Sequence, residues 1–289
     1  MISNYDSYKI SELPSITWPS LQNYFQKKIN RTDINISEYL QQNNIIWIEG
    51  YDPSADFFIF KSDMDRSLSF RNIKYEILKE LKKPYINLLG EPREYSRIAY
   101  FLADKAYTYA VAPGKKFKRF YFPCDWSDPK LDDWEKRINK FCWIGRPLPD
   151  RIQIAKKMSD LGLDVDIYSR ERWPVQNWKG VSPDEIATSQ QYKYRIVCEN
   201  NQTHLYHSEK LFNSIRSGCV TFYLADPELV LPHLKGAYVP FNFESLLSKE
   251  EYCQNIMKGI EKVMFTDLWE FYSFKKFFDM FINCTQKFH

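Results

Sequence analysis

Three adjacent residues in the second half of the chain, Ser208-Glu209-Lys210, combine a hydroxyl, a carboxylate and an ammonium that could bind a ligand. Ser208 is a good helix N-cap, which would place Lys210 in the first turn of the helix. Because a helix N-terminus favours anions, a lysine in that turn predicts a phosphate site. Glu209 would repel a phosphate unless it faces another group, such as the hydroxyls of a sugar. The triplet therefore predicts a ligand with an anionic part and a hydroxyl-rich part.

Two predicted strands and one helix would position this triplet. The apolar, β-branched run at 194–198 predicts a strand that ends at Glu199-Asn200-Asn201, where amides and turn formers take over. A helix then follows Ser208 and is closed by Gly218, and residues 219–224 predict a second buried strand. Open α/β sheets bind their ligands in loops of this kind, between a strand end and a helix start.

The whole stretch resembles the C-terminal signature of the alpha-1,3/1,4-fucosyltransferases, glycosyltransferase family ten. The matching residues are Glu199-Asn200, Tyr206, Ser208-Glu209-Lys210 and Ala225-Asp226-Pro227. The spacing between the Glu-Asn pair and the Glu-Lys pair also looks like the family's. The resemblance is strongest over the C-terminal half, and it implies a GDP-fucose donor.

The resemblance also implies which basic residue contacts the diphosphate. The strand at 140–145 and the loop after it look like the family's first donor-domain strand, whose loop and helix carry a phosphate-binding arginine. Arg151 is the best positional match, and Arg146 is the second. Lys193 and Arg195, which flank or lie within the later strand, are interpreted as solvent-facing or sheet-edge charges.

Donor contacts are therefore expected from five residues, namely Arg151, Asn200, Tyr206, Glu209 and Lys210. By the resemblance, Asn200 and Tyr206 would hold the ribose or the diphosphate, and Glu209 would hold hydroxyls of the ribose or the fucose. An arginine gives bidentate contacts to phosphate and a lysine gives a point charge, and the helix N-terminus adds backbone donors. Those groups would stabilise the leaving diphosphate without a metal, so no metal cofactor is expected.

A catalytic base is expected from the N-terminal half. Fucosyl transfer in the family is inverting, so one base must take the proton of the acceptor hydroxyl as the new bond forms. The strand that ends at Glu91-Pro92 resembles the family's strand that ends in the catalytic carboxylate. Glu91 is therefore the predicted catalytic residue, with Glu94 and Glu49 behind it.

Strand and helix patterns alternate along most of the chain and predict two α/β domains with parallel sheets. We expect residues 1–135 to form an N-terminal acceptor-binding Rossmann-like domain and residues 136–266 to form the nucleotide-sugar-binding domain. Residues 267–289 predict a C-terminal helix that could pack back on the first domain. The resemblance implies the GT-B architecture, in which two Rossmann-like domains face each other across a cleft.

Bulk composition excludes several classes of protein. With 289 residues, 44% of them hydrophobic, the chain can form hydrophobic cores and is not a disordered protein. A net charge of only +3 does not indicate nucleic acid as a partner. The sequence shows no signal peptide and no transmembrane segment, which predicts a cytoplasmic enzyme, with peripheral membrane association left open. The expected partners are a nucleotide-sugar and a glycan acceptor.

Three alternatives are also compatible with the sequence. A metal-dependent glycosyltransferase would use an Asp-x-Asp motif, and the chain has Asp63-Met64-Asp65 and Asp164-Val165-Asp166. A relative that uses another nucleotide-sugar is the second alternative, because Leu224-Ala225 stands where the family has Trp-Gly. A non-catalytic glycan-binding relative is the third.

Overall fold

A computed structural model describes nine segments of the chain. They are residues 8–12, 36–49, 52–62, 85–89, 105–108, 117–119, 134–200, 208–225 and 234–264. The chain divides into two compact units, Met1–Trp126 with Ser273–His289 and Ser127–Tyr272. The helix predicted at 267–289 lies outside the described residues.

The first unit contains a parallel sheet whose described part has six strands. The elements are β1 (Tyr8–Glu12), α1 (Ile36–Gln42), β2 (Ile45–Glu49), β3 (Phe57–Ser62), β4 (Tyr85–Leu89), β5 (Lys105–Thr108) and β6 (Phe117–Arg119). Their order across the sheet is β2-β1-β3-β4-β5-β6, and each neighbouring pair is parallel. Sequence patterning predicts β2, β3 and β4, and a strand at 107–112 that overlaps β5 only at its end, but it predicts a basic turn where β6 lies. It does not predict β1, although β1 lies inside the sheet, where Ile10 pairs with both Trp47 and Phe57.

The second unit contains a parallel sheet whose described part has five strands, joined by helices. The elements are β7 (Ile138–Ile144), α2 (Pro149–Asp160), β8 (Val165–Tyr168), α3 (Glu185–Ser189), β9 (Tyr192–Cys198), α4 (Glu209–Arg216), β10 (Val220–Leu224), β11 (Val239–Pro240), α5 (Phe243–Leu247) and α6 (Cys253–Met264). The strand order is β11-β10-β9-β7-β8, again with parallel neighbours.

Both sheets share one topology. In each, the first strand of the unit lies between the second and the third, so that the chain winds first to one side of the sheet and then to the other. This is the doubly wound order of flavodoxin-like sheets, a variant of the Rossmann arrangement, with a switch point between the first and third strands. The predicted fold class, α/β with two Rossmann-like parallel sheets, is confirmed.

Aromatic packing holds the centre of the second sheet. The rings of Phe141 on β7, Tyr194 on β9 and Phe222 on β10 lie 5.4–6.5 Å from one another between centroids, and all three residues are buried. Burial on both faces explains why these strands read as continuous apolar runs rather than as alternating patterns. These three rings therefore join the middle parts of β7, β9 and β10.

No helix among the described residues is long and apolar enough to cross a bilayer. Most of these helices are instead amphipathic and lie on the sheets. In α6, for instance, Ile256 and Ile260 are buried while Lys258 is exposed.

A close backbone approach fixes α6 against the loop before β11. A Cβ added to Gly259 would lie 1.9 Å from the carbonyl oxygen of Gly236, which is shorter than any van der Waals contact. Gly236 itself has a φ of 90°, a conformation that side chains with a Cβ rarely adopt. A side chain would therefore be strained at both positions, by the close contact at Gly259 and by the backbone conformation at Gly236.

We expect Gly259→Ala to lower the free energy of unfolding by about 2 kcal/mol or more, because overpacking against backbone is not relieved by a rotamer change. Helix propensity alone would act in the opposite direction, since alanine is favoured over glycine by about 1 kcal/mol. Urea unfolding measures the change. Lys258→Ala, at the neighbouring exposed position, should stay within about 0.5 kcal/mol of wild type. A more stable Gly259→Ala protein would contradict the close approach.

Candidate functional site

The topological switch point of the second sheet brings together most of the polar residues that the sequence analysis singled out. β7 and β9 are neighbours, but β8 continues on one side of β7 and β10 on the far side of β9. Ligands of open α/β sheets bind outside the carboxyl ends of the strands at such a point. Here those ends lead into Gly145-Arg146 after β7 and into Glu199-Asn200 after β9.

Arg151 ties the first turn of α2 to the end of β9. Its side chain is 1% exposed, and Nη2 donates to the carbonyl oxygens of Cys198 (3.0 Å) and Glu199 (2.9 Å) and to Oδ1 of Asn200 (3.1 Å). A longer bond of 3.4 Å runs from Nη1 to the carbonyl oxygen of Arg146. The guanidinium thus satisfies backbone acceptors at the point where the strand ladder ends.

The guanidinium of Arg151 occupies space beside Gly145 that a side chain at that position would crowd. A Cβ on Gly145 would lie 3.2 Å from Nη1 of Arg151 and 3.5 Å from Nε1 of Trp143. The carbonyl oxygen of Gly145 accepts a hydrogen bond of 2.9 Å from Nε1 of Trp173, whose ring packs on Trp143 with centroids 5.2 Å apart. The turn after β7 is therefore held from two sides, and the arginine fills the space left beside it.

A buried carboxylate forms the other half of the site. Glu199 is 2% exposed, and four donors reach its two oxygens. Oε1 accepts from the backbone N–H of Ser208 (2.9 Å) and from the hydroxyl of Tyr223 on β10 (3.0 Å). Oε2 accepts from Oγ of Ser208 (2.7 Å) and from Nζ of Lys210 (3.3 Å). One side chain thus joins the ends of β9 and β10 to the start of α4.

Ser208 has a second role as the N-cap of α4. Its Oγ accepts from the backbone N–H of Lys210 at 3.4 Å and from Nζ of Lys210 at 3.0 Å. The predicted cap is confirmed, and so is the end of the helix near Gly218, which has a φ of 68°. Lys210 accordingly lies in the first turn, where its ammonium adds to the positive end of the helix.

Electrostatics keep both members of the Glu199–Lys210 pair charged. Burial alone would raise the pKa of Glu199, but Lys210 and the hydrogen bonds from Ser208 and Tyr223 outweigh it and hold this pKa below its ordinary value. Burial would likewise lower the pKa of Lys210, but Glu199 and Glu209 outweigh it and raise this pKa above its ordinary value. At neutral pH the site therefore holds a carboxylate and an ammonium in contact.

The structure places the predicted donor contacts as follows. Arg151, Asn200 and Lys210 come together around the end of β9, and Glu209 occupies the first position of α4 with a half-buried side chain. Tyr206 and Glu91 lie outside the described residues. These assignments as donor and catalytic groups stay predictions.

Two residues differ from their sequence interpretation. Arg195 is not a solvent-facing or sheet-edge charge: it is 1% exposed in the middle of β9 and forms an ion pair with Glu185 of α3. Glu199 belongs to the family signature but is not among the predicted site residues, although its side chain makes four hydrogen bonds, as many as that of Arg151. The signal that could have found it is a carboxylate at a strand end nine residues before an N-cap serine.

The second Asp-x-Asp motif has structural partners at the opposite edge of the sheet. Asp164 and Asp166 lie at the amino end of β8, away from the strand ends that carry the site. Asp164 is 3.9 Å from Nζ of Lys140. Asp166 accepts from the hydroxyl of Tyr192 (3.0 Å) and pairs with Lys179 (3.5 Å). The first motif, at 63–65, lies outside the described residues.

Comparison with known proteins places this fold among glycosyltransferases. No protein-family model matches the chain, and no curated protein matches it. Among solved structures, an alpha1,3-fucosyltransferase is 14% identical with a TM-score of 0.60, over 96% of this chain and 90% of that one. The same kind of enzyme with GDP-fucose gives 12% identity and a TM-score of 0.60, over 99% and 92%. An alpha-glucosyltransferase in complex with UDP and DNA gives 11% identity and 0.57, over 95% and 99%. The fold is therefore the GT-B fold of these enzymes.

Removing the Arg151 guanidinium should destabilise the second unit. We expect Arg151→Met to lower the free energy of unfolding by about 2–4 kcal/mol, because two buried carbonyl oxygens lose a charged donor. Arg151→Lys keeps the charge but cannot reach three acceptors at once, so it should lie between Met and wild type. Guanidinium chloride unfolding measures all three proteins.

The matched control for these variants is Arg146→Met, which changes an exposed side chain in the same turn and should shift the unfolding free energy by less than about 0.5 kcal/mol. Equal effects of the substitutions at 146 and 151 would contradict the role of the Arg151 guanidinium in holding the end of β9.

Proposed function

We propose that this protein is a glycosyltransferase that takes its sugar from a nucleotide-sugar, and that its donor is GDP-fucose. The observation that carries the proposal is the ammonium of Lys210, held at the N-terminus of α4 beside the switch point of a Rossmann-like sheet. Such a place favours a phosphate-bearing ligand. The GT-B fold supports it, because solved structures of that fold hold GDP-fucose and UDP.

The leaving diphosphate would bind at the start of α4. Lys210 and the backbone N–H groups of the first turn would stabilise the negative charge that develops as the glycosidic bond breaks. Arg151 has its Nη2 committed to the end of β9 and its Nη1 bonded to the carbonyl oxygen of Arg146, so Nε is the guanidinium donor that would remain for a phosphate oxygen. Glu209, beside Lys210, would accept hydrogen bonds from ribose or fucose hydroxyls. Asn200 and Tyr206 would complete the donor contacts.

Transfer would proceed with inversion in a single displacement. The oxygen of the acceptor hydroxyl attacks the anomeric carbon, the bond from that carbon to the diphosphate oxygen breaks, and Glu91 takes the hydroxyl proton. GDP leaves with the electron pair of the broken bond. The two cations and the helix N-terminus would carry the charge stabilisation, so that no metal ion is needed for this step. A glycan is the proposed acceptor.

The identity of the nucleotide is the point at which the alternatives separate. The fucosyltransferase-like signature at 199–210 favours GDP, whereas one solved structure of the same fold holds UDP. A non-catalytic glycan-binding relative would need neither. The cytoplasmic location and the lack of nucleic-acid binding stay predictions.

Isothermal titration with GDP, UDP and CMP tests the donor. We expect GDP to bind the wild-type protein and to raise its melting temperature, while UDP and CMP do so at least about tenfold more weakly. Lys210→Met should weaken GDP binding by at least about tenfold, because a charge-assisted contact to phosphate is lost.

Lys156→Ala, on the exposed side of α2, is the control for a change of surface charge and should bind GDP as wild type does. Binding of UDP alone would exclude the GDP assignment, and binding of none of the three nucleotides would exclude the proposed class of enzyme.

Glu91→Gln tests the base. This variant should bind GDP with unchanged affinity but transfer fucose about 10²–10⁴-fold more slowly, because the acceptor proton has no base to go to. Transfer is measured as GDP released from GDP-fucose in the presence of a glycan panel. Glu94→Gln is the neighbouring control and should retain most of the rate. The reverse pattern would move the base to Glu94.

A further inference from the structure

We propose that Glu199 positions Lys210 for the donor diphosphate, by fixing the direction of its ammonium from within the protein. This inference rests on the proposed function, since it assigns a role in binding the same diphosphate. Glu199 is a positioning residue here: its carboxylate is buried behind the lysine and would not touch the nucleotide.

The geometry of the ammonium carries the argument. A lysine ammonium has three N–H donors. In Lys210 two of them are used, one by Oε2 of Glu199 at 3.3 Å and one by Oγ of Ser208 at 3.0 Å. Both acceptors lie on the protein side, and the side chain keeps 18% of its surface exposed. The third N–H has no acceptor among the residues that the structure describes, so it is the donor left for a ligand, and its direction is set by the other two.

The same carboxylate also fixes the acceptor that shares the ammonium. Oε2 of Glu199 accepts the hydroxyl proton of Ser208 at 2.7 Å, which leaves the lone pairs of that Oγ free to accept from Lys210. Without the carboxylate, the hydroxyl could rotate and donate elsewhere. One buried side chain thus orients the serine hydroxyl, the start of α4 and the lysine ammonium together.

A purely structural role would not require a charge at this position. Three of the four donors to Glu199 are neutral, namely the Ser208 N–H, the Ser208 hydroxyl and the Tyr223 hydroxyl. Burying a carboxylate costs several kcal/mol unless its partners offset the loss of water. The one partner that needs a full negative charge is the ammonium of Lys210. Its pairing explains why a carboxylate, rather than an amide, stands at the end of β9.

Three charged groups act on Lys210 among the described residues. Glu199 comes from the end of β9, Glu209 from α4 itself, and Arg151 from α2. The two carboxylates raise the pKa of Lys210 while burial and Arg151 lower it, and the carboxylates prevail. Lys210 therefore stays charged until the pH rises above its ordinary pKa. If the charge of Glu199 is removed, burial and Arg151 oppose Glu209 alone, so the pKa falls and the ammonium is lost at lower pH.

The test is the pH dependence of GDP affinity in Glu199→Gln. In wild type, Lys210 should remain charged from about pH 7 to about pH 9.5, and any change in the dissociation constant then reports the titration of GDP itself. In Glu199→Gln we expect GDP affinity to fall at least about tenfold more than in wild type over the same range, because the uncharged amine no longer binds phosphate. Parallel profiles for the two proteins would overturn the inference.

Tyr223→Phe is the matched control. It removes one hydrogen bond from the same carboxylate but keeps the charge, so the melting temperature should fall while the pH profile of GDP binding stays parallel to that of wild type. A steep alkaline loss in Tyr223→Phe as well would assign the effect to packing and overturn the inference. If wild type binds no nucleotide, it is the proposed function that fails, and the two failures are thereby distinguished.

A second measurement uses the unmodified protein and covers the case in which Glu199→Gln does not fold. Amine acylation of Lys210, followed by peptide mass spectrometry over a pH series, gives the pH at which the amine becomes reactive. The exposed Lys235 of the same sample is the internal reference. We expect Lys210 to become half-reactive at a higher pH than Lys235. A midpoint at or below that of Lys235 would show that Glu199 does not hold the ammonium.

Discussion

The need to neutralise one buried carboxylate organises the second unit. Glu199 lies in the interior, where an ionised carboxylate is stable only if hydrogen bonds and a counter-charge replace its water. Its donors come from the start of α4, through Ser208 and Lys210, and from β10, through Tyr223. These partners are in reach only when β9 and β10 are paired and α4 has packed on the sheet. The site is therefore complete only in the folded sheet.

Arg151 applies the same principle with the opposite charge. Where β9 leaves the sheet, the carbonyl oxygens of Cys198 and Glu199 lose their strand partners, and buried acceptors without donors are costly. The guanidinium reaches both and the amide of Asn200 as well. The end of β9 is thus held by two buried charges. The guanidinium of Arg151 binds its backbone, and the carboxylate of Glu199 binds the start of α4 and Tyr223. Preorganisation of this kind favours charge stabilisation, because little reorganisation is required when a ligand binds.

The parts of the structure that follow from local pattern could be read from the sequence, and the parts that depend on distant partners could not. The cap at Ser208, the turn at Gly218 and the apolar strands of the second sheet are local and were predicted. The burial of Glu199 depends on donors nine and more residues away, and that of Arg195 on a carboxylate in α3. A charged side chain within a strand is exposed only if one face of the sheet is open.

β1, in the first sheet, is another element that the local sequence pattern does not predict. Lys9, Ser11 and Glu12 interrupt its apolar pattern, so composition alone does not indicate a strand. Its place inside the sheet comes from pairing on both sides, with β2 and with β3. The base proposed at Glu91 is in a different position: it follows β4, which the sequence does predict, but lies beyond the described residues.

The low sequence identity to solved enzymes is consistent with a fold that many sequences can form and a site that needs particular residues. At 11–14% identity over nearly the whole chain, the comparisons establish the GT-B fold and leave the nucleotide open, since structures of that fold hold both GDP and UDP. A doubly wound sheet requires only apolar strands and helix faces, which many sequences supply. A diphosphate requires particular charges at one strand end. The proposed function therefore rests on Lys210 and the groups that hold it, because the fold alone does not supply these charges.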